Sequence, residues 1–338
     1  MKVLVLGGNG FIGRNIVEKL QVLSFAEKSA KYPKSEQVVN STQIAKSAQI
    51  VQAAQSIQVV IGSRKSTITN TQLQIAMQNF QHASDWLPIL KSFDVVVNSV
   101  GILRMRKGES YANVHTFAVE SLADACAALN IKLIHISAIG LSAKAKSGFI
   151  TSKYWGEQAI LASGANAVIV RASLLDGAGG YGAKWFRRVA NWPLQLVMQT
   201  KGQVAPLQVT DLGEAVANLI VQNIATPSVI ELGGSETVSI AAYLQLLRKR
   251  SGQNRALQLA MPKWLVRIAS HMFDVFALTP LSFGHFELMQ GYNAPVTNYL
   301  PMLLNRPPAL VGVDSQAMAG RINENKVNSR CLKPNLII

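Results

Sequence analysis

The chain opens with MKVLVLGGNGFIG at residues 1–13, an apolar run that ends in closely spaced glycines. Lys2–Leu6 has the short, continuous apolar pattern of a buried parallel strand. In the GxxGxxG pattern that follows, Gly7 permits a sharp turn, Gly10 leaves room for a phosphate, and Gly13 lets a helix pack closely. A tight turn without a ligand is the alternative for the glycines alone. The order of strand, loop and helix predicts a Rossmann-type site whose helix N-terminus binds a dinucleotide pyrophosphate.

Apolar strands alternate with amphipathic helices over the first 170 residues. Such alternation is typical of a parallel sheet that is covered by helices on both faces. We therefore predict an α/β fold, a doubly wound parallel Rossmann sheet of six or seven strands with a smaller, mainly helical C-terminal subdomain. Ligands are expected at the carboxyl ends of the strands. The further predicted strands are residues 57–62, 94–99, 132–137 and 167–171, and the predicted helices are 11–23, 114–129 and 151–163.

We expect three segments along the chain. Residues 1–175 form the predicted dinucleotide-binding domain, 176–318 a substrate or lid subdomain, and 319–338 a flexible basic tail. Residues 24–56 are rich in Gln, Ala, Ser and Lys, and we interpret them as an insertion between the first helix and the second strand. The insertion has one helix-like stretch, 42–54, and a poorly ordered loop is the alternative.

The composition is that of a basic protein, with 33 Lys and Arg against 18 Asp and Glu and a formal net charge of +15 over 338 residues. This excess favours an anionic partner such as a phosphorylated cofactor, an acidic lipid surface or nucleic acid, and a solvated basic surface is the alternative. Nucleic acid is the least favoured, because the basic residues are scattered and form no recognised binding motif. Two cysteines without a CxxC or a His/Cys cluster predict neither a disulfide framework nor a metal site.

The chain has no recognisable secretory signal and no run of about 18 continuous apolar residues, so we expect a cytoplasmic protein. Two stretches favour a position at the inner face of the membrane. Residues 183–199 and 262–276 interleave basic and aromatic residues in amphipathic patterns that suit an anionic surface. The competing interpretation is that both stretches pack over the cleft as a substrate lid.

The end of the second predicted strand bears on the choice of dinucleotide. An acidic residue there would hold the ribose hydroxyls of NAD, but the sequence reads Gly62-Ser63-Arg64-Lys65. The planar guanidinium of Arg64 suits a 2′-phosphate, and Ser63 and Lys65 are placed to assist. We therefore expect NADP(H) to be preferred, with NAD(H) as the alternative cofactor. Solvated turn charges are the competing interpretation of Arg64 and Lys65.

Several motifs occur in an order that is familiar from one family. They are GGNGFIG at 7–13, DVVVNSVGIL at 94–103, HISAIG at 135–140, the helix containing Lys153, VIVRASLLDG at 168–177 and PLQVTDLGEAVANLI at 206–220. Together they resemble the extended or atypical short-chain dehydrogenase/reductases over roughly residues 1–235. The chain is most similar to the branch containing the NAD(P)-binding accessory subunit of respiratory complex I, which also resembles NmrA-like proteins. The insertion at 24–56 departs from that branch, whose members have a short link there.

The resemblance implies further cofactor contacts. Asn98, Ser99, Val100 and Gly101 would line the cofactor near its adenine-side ribose and phosphates, Ser137 would approach the nicotinamide ribose, and Arg171 would lie beneath the loop over the nicotinamide. The expected cofactor-binding residues are Gly7, Gly10, Phe11, Ile12, Gly13, Ser63, Arg64, Lys65, Asn98, Ser99, Val100, Gly101, Ser137, Lys153 and Arg171.

Reductases of this superfamily deliver a proton from a tyrosine whose pKa is lowered by a lysine four residues later, while a Ser or Thr orients the substrate. In this sequence Lys153 is in place, but Phe149 occupies the tyrosine position. Ser137 is the nearest hydroxyl candidate, although Ala138 stands at the expected register. Tyr154 points about 100° away from Lys153 around the helix and does not replace the missing phenol. The candidate catalytic residues are Lys153 and Ser137, with Phe149 at the tyrosine position.

These observations predict an NAD(P)-binding protein with weak or no oxidoreductase activity, because a phenyl ring has no proton to give. Such a protein would act as a structural or redox-sensing component that responds to its cofactor. The alternative is an active NADPH-dependent reductase or epimerase for a hydrophobic or quinone-like substrate. The expected partners are the dinucleotide and either an anionic membrane surface or another protein.

Overall fold

The computed structural model describes residues 1–30, 57–65, 69–222, 226, 228–276 and 282–312, with the side chains of 25–30 and 274–276 excepted. The strands are β1 (Lys2–Leu6), β2 (Gln58–Ser63), β3 (Gln72–Gln74), β4 (Val95–Asn98), β5 (Lys132–Ala138), β6 (Ala167–Ala172), β7 (Leu175–Asp176), β8 (Leu194–Met198), β9 (Gln203–Val204), β10 (Leu207–Gln208), β11 (Val229–Leu232), β12 (Leu257–Met261) and β13 (Tyr292–Asn293). The α-helices are α1 (Phe11–Ala30), α2 (Ala83–Leu90), α3 (Ala118–Ala128), α4 (Gly148–Ala162), α5 (Tyr181–Ala190), α6 (Val209–Val221), α7 (Ile240–Arg250), α8 (Lys263–Phe276), α9 (Phe283–Gln290) and α10 (Leu300–Leu304).

A seven-stranded, wholly parallel sheet forms the centre of the described structure, in the order β11-β6-β5-β4-β1-β2-β3. The chain therefore starts in the middle of the sheet and reverses direction between β1 and β4, which is the doubly wound arrangement. This confirms the predicted α/β Rossmann-type fold with a helical C-terminal part. The seventh strand, β11, comes from beyond the predicted domain boundary at residue 175.

Alternating side chains of the strands supply two cores, one on each face of the sheet. In β1, Val3 and Val5 belong to the core that packs against α1, α6 and α10, whereas Leu4 and Leu6 belong to the core beneath α2 and α3. All four side chains are fully buried. Since successive strand residues point to opposite faces, a continuous apolar run is what a strand covered on both sides requires.

The first helix is longer than its apolar pattern predicts. α1 continues past residue 23 to Ala30, so residues 24–30, the first part of the predicted insertion, belong to this helix. No Gly or Pro interrupts residues 24–30, which removes the usual stop signals. The remainder of the predicted insertion, with its helix-like stretch 42–54, and the predicted tail 319–338 lie outside the described residues.

The turn between β1 and α1 is tight because two glycines meet there. Gly7 has a φ of 76°, a left-handed conformation that favours glycine. A Cβ on Gly13 would lie 2.2 Å from the Gly7 carbonyl oxygen, so only a glycine permits this approach of helix and loop. The contact aims the N-terminus of α1 at the carboxyl ends of the central strands.

Two buried carboxylates hold the segment 306–312 against the body of the protein. Asp211, in the first turn of α6, accepts hydrogen bonds from Arg306 Nη2 at 2.8 Å and from the Ala309 backbone N–H at 2.6 Å. Asp176 accepts one from the Gly312 N–H at 2.6 Å and is also paired with Arg187 of α5. Both aspartates are 2% exposed or less, so these contacts satisfy charges that water cannot reach.

We expect Gly13→Ala to destabilise the fold by about 1–3 kcal/mol, because the new methyl group meets backbone atoms that cannot move aside. Urea unfolding monitored by circular dichroism measures the change. Gly182→Ala in α5 is the control, since a Cβ there meets no atom within 4 Å and alanine is the better helix former. Equal stability of the two variants would contradict the importance of the contact between Gly7 and Gly13.

Candidate functional site

A cavity of about 470 Å³ opens at the carboxyl ends of β1, β4, β5 and β6. Its floor comes from the loops that follow these strands, and its far wall comes from α5 and α9 of the C-terminal part. Most of the lining side chains are apolar. The position is where a doubly wound sheet binds its ligands, next to the point where the strand order reverses.

Most of the predicted cofactor residues meet at this cavity. Those that line it are Gly10, Phe11, Ile12, Ser99, Val100, Gly101, Ser137 and Lys153. Gly7 and Gly13 lie just below, in the turn that positions the start of α1. Because α1 begins at Phe11, the backbone N–H groups of its first turn have no intrahelical acceptor and face the loop side of the cavity. Ser99 also has a structural role, since its hydroxyl donates to the Leu6 carbonyl at 2.7 Å.

The predicted 2′-phosphate residues lie at the end of β2, and each has different surroundings. Ser63 Oγ accepts a hydrogen bond of 3.1 Å from Asn9 Nδ2 of the glycine loop. The Arg64 side chain is 49% exposed and forms an ion pair with Glu109, whose side chain is 9% exposed. Lys65 is exposed. A phosphate at this position would therefore compete with the Glu109 carboxylate for Arg64.

Two predicted cofactor residues are engaged elsewhere and are not among the residues that line the cavity. Asn98 is fully buried, where its Oδ1 accepts from the Val100 N–H at 3.0 Å and its amide faces His135. Arg171 donates through Nε to both carboxylate oxygens of the fully buried Glu157, at 3.0 and 3.1 Å. We therefore do not assign either residue to the proposed ligand site.

The α4 helix presents Phe149 and Lys153 on one face, one turn apart. The Lys153 Nζ lies 5.7 Å from the centroid of the Phe149 ring, and both residues line the cavity. Burial lowers the pKa of Lys153 from its ordinary value, an effect that nearby Glu157 partly offsets. Ser137 lies at the end of β5, where its buried hydroxyl has no hydrogen-bond partner in the described structure. Tyr154 does not line the cavity, as expected from its angular position.

Sequence reasoning missed two histidines around Phe149, since a single histidine without a neighbouring ligand or nucleophile is no motif. His115 lies on one side of the phenyl ring at 5.8 Å between centroids, and His285 of α9 stacks on it at 5.5 Å. His285 lines the cavity, and its Nδ1 lies 2.7 Å from Ser282 Oγ. His115 lies in a short π-helical turn, Asn113–Phe117, a feature that often marks functional sites but leaves no signature in the sequence.

Hydrogen bonds fix the protonation state of His115. Its Nε2 accepts from the Ile102 N–H at 3.0 Å, so the proton of the neutral ring is on Nδ1 and is donated to Ser152 Oγ at 3.1 Å. Burial holds the pKa of His115 well below 6.5, and the neighbouring basic groups of Lys153 and His135 lower it further. His115 is therefore a neutral imidazole that braces the loop after β4.

His135 in β5 is likewise buried and neutral. Because Asn98 Oδ1 accepts a backbone N–H, its amide nitrogen donates to His135 Nδ1 at 3.2 Å, which leaves the imidazole proton on Nε2. Burial, followed by the charge of Lys153, lowers the pKa of His135 to about 3. The sheet beneath the cavity thus contains basic groups that are kept uncharged.

The stretch 183–199 divides between the two interpretations made from the sequence. In α5, Ala183 and Phe186 line the cavity, which fits a lid. Beyond α5, Trp192 and the alternate residues of β8 are exposed. The lid and the exposed apolar surface are therefore adjacent features of one segment.

Within the ranges that the structure describes, no group of three or more His, Cys, Asp or Glu side chains is placed to hold a metal ion. Among the same residues, no helix combines the length and the apolar character needed to cross a membrane.

No protein-family model and no curated protein sequence matches the chain. Similar solved structures include a nucleoside-diphosphate-sugar epimerase from Staphylococcus aureus, with a TM-score of 0.64, 14% identity and coverage of 92% of this chain and 98% of that chain. An NADPH-dependent quinone oxidoreductase from Escherichia coli, solved with NADPH, has a TM-score of 0.60, 16% identity and coverage of 95% and 100%. A dTDP-4-dehydrorhamnose reductase from Clostridium acetobutylicum has a TM-score of 0.59, 16% identity and coverage of 96% and 100%. At these identities the likeness establishes the fold.

The buried His135 predicts a loss of stability in acid. The unfolded chain protonates this imidazole near pH 6.5 while the native state resists until about pH 3, so the free energy of unfolding falls as the pH falls between these values. Each pH unit below about 6.5 lowers the free energy of unfolding by about 1.4 kcal/mol, so His135 accounts for a loss of roughly 2 kcal/mol at about pH 5. His135→Asn retains an acceptor for Asn98 but does not titrate, so its stability should depend less on pH.

Urea unfolding at about pH 7.5 and about pH 5 measures the difference between wild type and variant. The control is His82→Asn, which removes an exposed imidazole and leaves the buried His135 in place. Parallel pH profiles for wild type and His135→Asn would show that His135 does not cause the acid sensitivity.

Proposed function

We propose that this chain is a short-chain dehydrogenase/reductase-type protein that binds NADP(H) in the cavity and has weak or no reductase activity of its own. It would then serve as a structural or redox-sensing component. The observation that carries the proposal is Phe149, which occupies the family's tyrosine position in the cavity wall, one turn before Lys153. A carbonyl oxygen bound there would have no phenol to supply its proton.

Three features of the cavity fit a dinucleotide. The N-terminus of α1 presents backbone N–H groups and the positive end of the helix dipole to a pyrophosphate. Ser137 Oγ is a buried hydroxyl without a partner among the described residues, which a ribose hydroxyl or the nicotinamide amide would satisfy. Lys153 Nζ is a further donor on the same wall. A bound nicotinamide dinucleotide supplies hydride chemistry, and the E. coli protein of this fold was solved with NADPH.

The resemblance to the complex I accessory subunit and to NmrA-like proteins supports a role through binding rather than turnover. The retained lysine and the missing tyrosine also support a binding role, because the lysine holds the cofactor ribose in this superfamily whereas the tyrosine delivers the proton. A protein that keeps its cofactor contacts and loses its proton donor can still report which cofactor is bound.

The preference for NADP(H) rests on Arg64 at the end of β2, where residues 62–65 contain none of the acidic residues that hold the ribose hydroxyls of NAD. We expect Arg64→Ala to weaken NADPH binding by about 10–100-fold, the contribution of a charge-assisted hydrogen bond pair, and to leave NADH binding unchanged. Isothermal titration of both cofactors into both proteins measures this. Lys65→Ala is the neighbouring-charge control and should change NADPH affinity by less than Arg64→Ala.

Glu109→Gln provides the complementary variant. Removing the carboxylate releases Arg64 from its ion pair and removes a negative charge near the proposed phosphate, so NADPH should bind more tightly than to wild type. If Arg64→Ala weakens NADH and NADPH equally, or weakens neither, the 2′-phosphate assignment is wrong.

A second candidate function is reduction of a hydrophobic or quinone-like substrate. The specific observation in its favour is the apolar lining of the cavity, which continues beyond the residues proposed for the cofactor to Phe186, Leu288 and Met289. Reduction of a quinone depends less on a proton donor in the protein than reduction of a ketone does, because the aromatic ring stabilises the anion that hydride transfer produces.

The variant Phe149→Tyr separates these functions. A phenol one turn from Lys153 restores the missing donor, so NADPH-dependent reduction of a simple aromatic ketone should rise by about 10²–10⁴-fold over wild type. NADPH absorbance follows the reaction, thermal melting verifies folding, and Phe149→Leu is the control without a proton. An unchanged ketone rate in folded Phe149→Tyr would refute the proposed cause of inactivity. Rapid menadione reduction by the wild type would favour the second candidate.

A further inference from the structure

The parallel ribbon of β8 and β12 carries its apolar residues on the outside. Leucines occupy alternate positions of both strands, and in the parallel register they stand opposite one another. The opposed pairs are Leu194 with Leu257, which are 45% and 65% exposed, and Leu196 with Leu259, which are 57% and 46% exposed. Between them Gln195 is fully buried and accepts a hydrogen bond of 3.0 Å from Gln258. The ribbon is thus polar toward the protein and apolar outward, the reverse of an ordinary surface strand pair.

The helix that follows β12 extends the apolar surface. α8 starts at Lys263, and Trp264, Ile268 and Met272 recur every four residues, so they share one face of the helix. These three side chains are 64%, 53% and 54% exposed. We call the outward leucines of the ribbon together with this face of α8 the apolar face. Soluble monomers rarely expose so many large apolar side chains in neighbouring elements unless the surface binds something.

The two segments that carry most of the apolar face contain charged residues of one sign only. Residues 177–210 and 237–273, which contain the ribbon and most of α8, have ten Lys and Arg and no Asp or Glu. Arg187 and Arg250 are paired with carboxylates from outside these segments. The basic residues of these segments that are exposed are Lys184, Arg188, Lys201, Lys249, Arg255, Lys263 and Arg267.

We infer that the apolar face docks onto an anionic lipid bilayer. Exposed leucines would enter the boundary between headgroups and acyl chains, while the surrounding Lys and Arg side chains reach the acidic headgroups. Trp192 and Trp264, 50% and 64% exposed, are residues that favour such an interface. A protein partner would equally accept leucines, but the uniform positive charge selects a surface that is negative throughout.

The proposed membrane contact shares an element with the cavity. α8 packs on α9, where His271 stacks on Phe283 with ring centroids 4.3 Å apart. The next residues of α9, including Leu288 and Met289, line the cavity. Docking would therefore place α9, which forms one wall of the cavity, close to the lipid bilayer. An apolar ligand is most concentrated in the bilayer.

Co-sedimentation of the full chain with lipid vesicles tests the inference. Binding should be strong to phosphatidylcholine mixed with phosphatidylglycerol, weak to phosphatidylcholine alone, and reduced by salt. Each basic residue near an acidic surface contributes about fivefold to binding, so Lys263→Gln with Arg267→Gln should lower the partition coefficient about 25-fold. Trp264→Ser should lower it about tenfold and remove a blue shift of tryptophan fluorescence on binding.

Matched controls lie outside the apolar face. Trp155 of α4 is 53% exposed, so Trp155→Ser removes a tryptophan of similar exposure and should leave vesicle binding intact. Lys91→Gln removes an exposed positive charge and should likewise leave vesicle binding intact. Equal loss in Trp155→Ser and Trp264→Ser, or no binding of wild type to anionic vesicles at low salt, would overturn the inference. Dimers in sedimentation velocity that Trp264→Ser dissociates, without vesicle binding, would assign the face to a second copy instead.

Discussion

The absence of a side chain at Gly13 is the constraint on which the arrangement of the site depends. Because no Cβ intervenes, α1 approaches the Gly7 carbonyl closely enough that the helix starts directly over the end of the central strand. Every other part of the cavity is positioned relative to that start: β4 adjoins β1, β5 adjoins β4, and the loops after them reach the same space. A larger residue would push the helix outward and separate its N-terminus from the loops that complete the cavity.

A second principle governs the polar groups around the cavity. His115, His135 and Lys153 lie close enough to influence one another's protonation, and burial disfavours the charged form of all three. The nearby carboxylate of Glu157 does not neutralise them, because it is committed to Arg171. The region therefore combines low polarity with donors in fixed orientations. Such an environment strengthens each hydrogen bond to a bound ligand and makes an unpaired donor costly. Ser137, whose buried hydroxyl has no partner among the described residues, stands out against this background.

The features predicted well from sequence were those that depend on neighbours along the chain. β1 ends where its apolar run meets Gly7, and the convergence of Ser99 and Ser137 follows from the rule that parallel strands end at one edge. Features that depend on distant residues were not predicted. Glu109 reaches Arg64, and Glu157 takes Arg171, through contacts that no local pattern encodes. His285 joins Phe149 from more than a hundred residues away along the chain. The outward side of β8 became visible only when its pairing with β12 was known, because alternating Leu and Gln do not reveal which side is buried.

Asp176 and Asp211 make residues 306–312 part of the folded unit, although this segment contains no helix or strand. A chain shortened to end after α10 would retain every strand and helix of the described structure, yet Asp211 would lose Arg306 and Ala309, and Asp176 would lose Gly312. Asp211 would then face the protein interior without these two donors, and Asp176 would keep only its pairing with Arg187. Residues 306–312 therefore belong to the folded unit through hydrogen bonds and not through an element of secondary structure.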